Sequence, residues 1–393
     1  MSQKSRNKVQ LLRRFGYACS LLAIVMASPL AHAEGPTLAN AEVESAKVTS
    51  SLGDLSPEAQ AKVKAGLRSF LSRKDVSPDR DAGDLGWDCM AAAELAQRGD
   101  PRGQEKLKEV VQALSEQAIR ANDQVIGWPY RGKSVDSCKD GGLDAFGDGT
   151  CNKKDTVYSF QTGLAIACMA KAGNLLHAPE YTTEARQALD YWQKFTLPKT
   201  ACSDCTYYLY SDDPNDRGRY VRNVNVFMAF GAATLGENAH DATATKRAQQ
   251  AVRSEVEETH FGNQGYLGHL DPEWIKKKAD ATQNIENHAA AVALMSDLIG
   301  SDSHSQEARE HGMTVWHDWA TCNNKRCAAP TTSCSTWGGD AARCQATLTA
   351  THCAFRNRDP LAKSQCGEYL RRVSSISSYG LWALLAGTGS DSR

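Results

Sequence analysis

The sequence predicts an all-α fold: an (α/α)5-type toroid or incomplete barrel whose loops are stapled by disulfides. Three observations carry this. Helical segments that are apolar nearly all round alternate with segments bearing one apolar stripe. A helix with no polar face must be buried on every side, whereas a striped helix covers a core from outside. Finally, links from a striped to an apolar segment are long and cysteine-bearing, while the reverse links are short. Helix pairs that cannot bury their own faces stack on one another, with the apolar helices as an inner ring and the striped ones as an outer ring.

In chain order, Ser56-Pro57-Glu58 opens the first striped helix, with Ser as N-cap and Pro at the first helical position. It runs to about Arg73, striped at Ala61, Val63, Leu67, Phe70 and Leu71. Residues 87–96 form a short apolar helix, followed by a striped one over 104–121 with Leu107, Val110, Val111, Leu114, Ala118 and Ile119 on one face. The pairing returns as apolar 157–173 with striped 180–195. It returns again as apolar 223–235 with a stripe at Ala244, Ala248, Val252 and Val256, and as apolar 284–299 with striped 305–320. The last apolar helix, 376–386, contains Tyr379-Gly-Leu-Trp-Ala-Leu-Leu385, and the first striped helix is expected to pack beside it. No sustained alternating pattern marks a strand; Thr206–Tyr210 is a short candidate.

The chain has 393 residues, 41% hydrophobic and 23% charged, which suits a globular protein with a sizeable core. Residues 1–33 read as an export signal: Lys4, Arg6, Lys8, Arg13 and Arg14, then the apolar run from Tyr17 to Leu30, then Ala31-His32-Ala33. Cleavage is expected after Ala33, and the destination is periplasmic or secreted. The apolar run falls short of the roughly 18 residues a membrane span needs, and no other stretch reaches that length, so no membrane span is expected after cleavage. Residues 34–54 read as a flexible lead-in, and 55–393 as a single toroid domain with a Cys-rich insertion at 322–366. Taking the five basic residues of 1–33 from the chain's 45 leaves 40 against 46 acidic ones, a net charge of about −6. A mildly acidic protein without a basic run is not a nucleic-acid binder.

Of 13 cysteines, all but Cys19 lie after the signal, and an even number in an exported chain points to disulfides. Cys138/Cys151, Cys202/Cys205 and Cys322/Cys327 are the close pairs; the rest of the C-terminal set stays unassigned. Zinc at Cys202/Cys205 would need a second ligand pair. The segment Asp144–Asp155 partly matches an EF-hand loop, with Asp144, Asp148, Asn152 and Asp155 at ligand positions, Phe146 breaking the pattern at the third, and Asp140 as a further oxygen source. It is read as a possible structural Ca²⁺ site bracing the loop; no cofactor is required.

Because inner helices all start at one end, one rim should gather Trp87, Asp88, Trp128, Tyr130, Arg131, Tyr158, Gln161, Tyr220, Arg222, Asn223, Asn225, Asn287, His288, Ser378 and Tyr379. Helix N-termini pointing at one hollow favour an anionic ligand, and Trp and Tyr suit stacking on sugar faces. Asn287-His288, opening an alanine-rich inner helix, resembles the exported α/α-toroid polysaccharide lyases, such as alginate lyases. That resemblance implies an acidic polysaccharide substrate cleaved by β-elimination. His288 or Tyr379 would be base, Tyr379 the donor to the leaving oxygen, Asn287 or Asn223 the neutraliser of the uronate carboxylate, and Arg222 a neighbour. Trp87, Asp88, Trp128, Tyr130, Arg131, Tyr158, Gln161, Tyr220 and Asn225 would then contact substrate. A sugar epimerase on such a toroid would share the first proton abstraction. A glycoside hydrolase would instead need two carboxylates flanking the bond, from Asp88, Asp155 and Glu286. A non-catalytic glycan- or peptide-binding envelope protein is the reading of a different class.

Overall fold

The computed structural model describes residues 52–131, 136–138, 141–144, 150–196, 204–217, 221–257, 285–300, 302–320, 351–373 and 375–386. The signal segment lies outside them. All belong to the unit Val43–Arg393.

The fold is the all-α toroid. Its helices are α1 (Pro57–Ser72), α2 (Ala82–Gln97), α3 (Pro101–Gln117), α4 (Ser159–Leu175), α5 (Pro179–Trp192), α6 (Arg222–Ala239), α7 (Ala242–Glu257), α8 (Ile285–Ile299), α9 (Ser303–Ala320), α10 (Pro360–Arg372) and α11 (Ser378–Ala386). The inner helices α11, α2, α4, α6 and α8 lie side by side in that order, and α3, α5, α7 and α9 each back the inner helix that precedes them. α1 packs against α11 and α10, with Lys62 Nζ donating to the carbonyls of Arg371 and Val373.

Burial follows the sequence pattern. In α4 every residue from Gln161 to Ala170 is buried, whereas α3 buries one stripe including Leu107, Val110, Val111 and Leu114. Each fully buried Leu, Val or Met contributes about 1.5–3 kcal/mol against remaining exposed. In α1 the stripe is Ala59, Val63, Leu67 and Phe70. Ala61 is exposed, because two residues from Ala59 or Val63 is more than a third of a turn round the helix.

Inner helices approach closely where they carry glycine. A Cβ on Gly163 of α4 would lie 2.5 Å from the Phe227 carbonyl oxygen of α6, and one on Gly86 of α2 would lie 2.8 Å from Leu164 Cβ. Cys89 of α2 is bonded to Cys168 of α4. The pairs Gly83/Phe160, Gly86/Leu164 and Cys89/Cys168 advance together along both helices, so α2 and α4 run parallel.

Several expectations are corrected. α2 begins at Ala82, capped by Asp81, so Trp87 and Asp88 sit in its second turn rather than at its start. The stripe of α3 ends at Gln117; Ile119–Ala121 turns instead into a hairpin with Gln124–Gly127. Asn122 and Asp123, at φ 51° and 62°, supply its turn. Thr206–Tyr210 is no strand, only the isolated bridge Thr196↔Tyr208. The Cys-rich segment holds α10 and the bridge Cys353–Cys366. The lead-in is anchored at its end: Leu52 is fully buried and Asp54 pairs with Arg356 at 3.3 Å. The Cys138–Cys151 bridge is present. Cys205 is disulfide-bonded, while Cys202, Cys322 and Cys327 lie outside the described residues.

Candidate functional site

The inner-helix starts meet through an aromatic column. Tyr379, second residue of α11, stacks on Trp87 at 3.8 Å between ring centroids and 12° between planes. Phe227 of α6 meets Trp87 edge-on at 5.8 Å and Phe160 of α4 at 4.7 Å. Trp382 continues the column to Phe230. So Trp87 and Tyr379 do converge, but as each other's stacking partner: both are buried. This corrects the expectation of Trp87 as an exposed sugar platform; the earlier start of α2 draws it into the core. Burial holds the Tyr379 phenol well above its ordinary pKa, offset in part by Thr351, which approaches the hydroxyl without a well-formed hydrogen bond. At neutral pH this phenol is a proton donor, not a base.

Beside the column, Asp88 is a buried carboxylate with three donors. Arg73 Nη1 reaches it at 3.0 Å, Arg80 Nη1 at 2.8 Å, and the Ser378 hydroxyl also donates to it. The node ties the end of α1 and the α1–α2 link to α2 and the start of α11. Unpairing a buried charge costs several kcal/mol, so Asp88 is a structural tie rather than the substrate contact or hydrolytic carboxylate expected from sequence.

The loop 128–131 is locked in place. Trp128 is fully buried, its indole N–H donating to the Leu114 carbonyl at 2.7 Å, which corrects its expected role on a ligand face. Its backbone N–H donates to Thr162 Oγ1, its carbonyl accepts from Tyr158 N, and Pro129 bridges Val157. This delivers Tyr130 and Arg131, both half-buried, to the gap between the starts of α2 and α4. There Asp81 Oδ1 caps α2 by accepting from Gly83 N at 3.0 Å. Its Oδ2 accepts from Arg131 N at 3.1 Å and Gln161 Nε2 at 3.5 Å. Tyr130 lies edge-on to Tyr158 at 6.5 Å, and Phe160 is partly exposed alongside. Thus Tyr130, Arg131 and Phe160 offer aromatic and cationic surface at the rim, with Asp81 and Gln161 beneath.

A second polar layer clamps this rim from the α5–α6 link. Asp216 accepts from Asn152 Nδ2 at 2.6 Å and Ser211 Oγ at 2.5 Å, and Asn152 also donates to the Tyr158 hydroxyl at 3.1 Å. Asp213 accepts from Lys153 N, Thr156 Oγ1 and Asn215 N. Burial pushes the Asp213 pKa up, but these donors outweigh it and hold the carboxyl below its usual range. These contacts use Asn152 as a donor to protein. Asp144 lies in a strand paired with Asp136, and Asp155 is exposed. Among the described residues no group of three or more His, Cys, Asp or Glu could hold a metal; Asp140 and Asp148 lie outside them.

Asn225 and Arg222 sit in the wall behind α6, which corrects their expected place on the ligand side. Asn225 is fully buried, accepting from Tyr208 N at 3.2 Å and donating to Glu255 Oε1 at 2.7 Å and the Ala251 carbonyl. Arg222, buried, faces Glu255 Oε2 at 3.7 Å. Burial, with Arg222 adding to it, lowers the pKa of nearby His311 on α9. Asn223 falls in the first turn of α6, and Asn287 and His288 in that of α8. The side chains of Asn223, Glu286, Asn287 and His288, and all of Tyr220, lie outside the described residues. Sequence reading passed over Asp81, Phe160 and Asp216. For Asp81 a signal existed, an Asp directly before a run rich in Ala, Gly and Leu, the residue type favoured at an N-cap.

No family model matches this sequence, and no curated protein is similar to it. Solved structures are similar in fold. A D-mannose isomerase gives a TM-score of 0.56 at 10% identity, covering 85% of this chain and 97% of that one. A sugar epimerase from a ruminal bacterium gives 0.55 at 8%, covering 88% and 99%. The cellobiose 2-epimerase of Spirochaeta thermophila DSM 6192 gives 0.54 at 11%, covering 90% and 98%. This chain therefore has the α/α toroid of those enzymes over nearly their whole length.

Proposed function

We propose that the protein is an exported, saccharide-active enzyme working at the inner-helix rim, with an acidic glycan as substrate and β-elimination as the reaction. The observation that carries this is the rim itself: Arg131 and Tyr130 held by Asp81 and Tyr158 at the starts of α2 and α4, beside Phe160, which the aromatic column Phe227–Trp87 joins to Tyr379. Helix N-termini supply a field favourable to a uronate carboxylate. His288, in the first turn of α8, takes the C5 proton. The C5–H electron pair forms a C4=C5 double bond, the C4–O bond breaks, and Tyr379 protonates the leaving oxygen. An Asn from Asn223 or Asn287 neutralises the carboxylate. The raised pKa keeps the Tyr379 phenol protonated, which removes it as base and leaves it only the donor's role. Export is supported by the bridges Cys89–Cys168, Cys138–Cys151 and Cys353–Cys366. Among the described residues no helix is long and apolar enough to cross a membrane. No step is routed through a metal.

A second reading, sugar epimerisation or isomerisation, is favoured by the fold likeness to a mannose isomerase and two sugar epimerases. It shares the first step, removal of a proton next to a carbonyl carbon. Incubation with a panel of uronate polymers and neutral disaccharides separates the readings. Elimination gives an unsaturated uronate with new ultraviolet absorbance, and epimerisation gives a changed sugar without cleavage. New reducing ends without absorbance would mean hydrolysis; retained binding without turnover would mean a binding protein.

A further inference from the structure

Arg131 differs from the arginines nearest to it in the rim links. Arg73 and Arg80, in the α1–α2 link, both pair with Asp88. Among the described residues no carboxylate pairs with the Arg131 guanidinium; only its backbone N–H is engaged, by Asp81. Its Nε is sealed, so the side-chain stem is packed, whereas Nη1 and Nη2 are not sealed and make no hydrogen bond within the protein. A cation with a fixed stem and open terminal N–H groups is prepared for two-pronged contact with a carboxylate.

Aromatic surface is fixed beside it. Phe160 stays partly exposed while its ring meets Phe227 edge-on at 4.7 Å. A Cβ on Gly83 would lie 2.8 Å from both Phe160 Cε1 and Asp81 Oδ1. The Phe160 ring therefore crosses the first turn of α2, next to the carboxylate that holds the Arg131 backbone. Tyr130 and Phe160 both pack on the rim cluster of Tyr158, Tyr210, Val221 and Val224, and both keep part of their surface in solvent.

We propose that Phe160, Tyr130 and Arg131 form a subsite for one uronate unit of the substrate. The apolar face of the pyranose ring lies on the aromatic surface. The C5 carboxylate, which leaves the ring at its edge, accepts from Arg131 Nη1 and Nη2. Asp81 does not compete for them, because it is already met by Gly83 N, Arg131 N and the Gln161 amide. The subsite stands at the starts of α2 and α4, whereas His288 and the candidate asparagines belong to α6 and α8. It therefore receives a unit flanking the one that loses its proton. This rests on the saccharide reading above and adds to it the residues that select an acidic sugar over a neutral one.

The test is calorimetric titration of wild type, Arg131→Gln and Phe160→Leu with disaccharides of mannuronate, glucuronate and galacturonate, each beside its neutral parent, at low and high salt. Thermal melting controls for folding, and Arg131→Gln is expected to melt with wild type. Arg131→Gln is expected to lower affinity for the acidic sugar about tenfold to 100-fold, the value of a charged hydrogen-bonded contact, and to leave the neutral parent unchanged. Salt is expected to weaken the acidic sugar in wild type and to lose that effect in Arg131→Gln. Phe160→Leu is expected to lower acidic and neutral sugars alike, about threefold to tenfold. Undiminished affinity for the acidic sugar in Arg131→Gln, equal losses for acid and neutral parent in that variant, or wild-type binding of neutral sugars alone would overturn the subsite and leave the saccharide reading standing. If wild type binds no sugar of the set, the saccharide reading falls and the subsite falls with it.

Discussion

The two ends of the toroid solve the same connection problem differently. At the far end, where inner helices finish, one device is repeated. Residues 98–100, 240–241 and 300–302 are short links, each ending in an aspartate that caps the outer helix. Asp100 accepts from Arg102 N and Gly103 N, Asp241 from Thr243 N and Ala244 N, and Asp302 from His304 N and Ser305 N. Gly173 and Gly236 let the outer helix close in, with Thr182 and Thr245 in the space a Cβ would need. At the rim, among the described residues, the α3–α4 and α5–α6 links differ. One carries a hairpin, a disulfide and the locked strap 128–131; the next carries the Asp212-Asp213-Pro214-Asn215-Asp216 clamp. Uniform turns build a scaffold, and individual loops build a site on it.

Substitutions can break this contrast, beginning with the largest effect. The Cys89–Cys168 bridge spans 79 residues and Cys138–Cys151 spans 13. Loop-closure entropy assigns about 4.5 kcal/mol to the first and about 3 kcal/mol to the second. Denaturant titration of the paired Cys→Ala variants should therefore show the ring bridge as the costlier loss. Equal losses would mean that ring and rim are no different in this respect. Gly163→Ala forces a methyl against the α6 backbone and should cost about 1–3 kcal/mol or more. Gly141→Ala, at φ 83° with open space around it, should cost only the left-handed strain of about 1–2 kcal/mol. Asp100→Ala removes a cap and should cost about 1 kcal/mol without touching activity.

The smallest effect is electrostatic. Asp241 is held below its ordinary pKa of 3.8, first by the Arg186 hydrogen bond and then by the capped N–H groups, which together outweigh burial. A depressed carboxylate stabilises fully above its unfolded pKa, and that stability is lost as pH falls through the folded value. Melting temperature should therefore drop below about pH 4. Asp241→Asn, which keeps the cap, should show a shallower drop, and an unchanged acid slope would remove this aspartate from the ledger.

What the sequence made legible was periodic. The unbroken apolarity of 157–173 and the stripe Leu107, Val110, Val111, Leu114 announce inner and outer helices, because burial on all sides or on one side leaves a mark in every turn. Gln161 falls in the first turn of α4, as the apolar run from Val157 implies. The hairpin was hidden because Ile119 continues the stripe of α3, and two strands this short leave no alternation to count. Trp87, Trp128 and Asn225 face protein instead of the hollow: residue type says that an indole or amide wants a partner, not whether the partner is a ligand or Leu114, Tyr379 and Glu255. The Cys89–Cys168 bond joins residues far apart in the chain, so no local spacing points to it.

The division between a working rim and an inert far end is tested most directly by one rate comparison. Formation of unsaturated product from uronate polymers is followed for wild type, His288→Ala and Asp241→Asn. Expected is turnover in wild type, a loss of about 100-fold or more in His288→Ala, and a rate within about twofold of wild type in Asp241→Asn, since a cap-preserving change far from the rim leaves the chemistry alone. Turnover that survives His288→Ala, or that Asp241→Asn abolishes in a protein still folded, would contradict it.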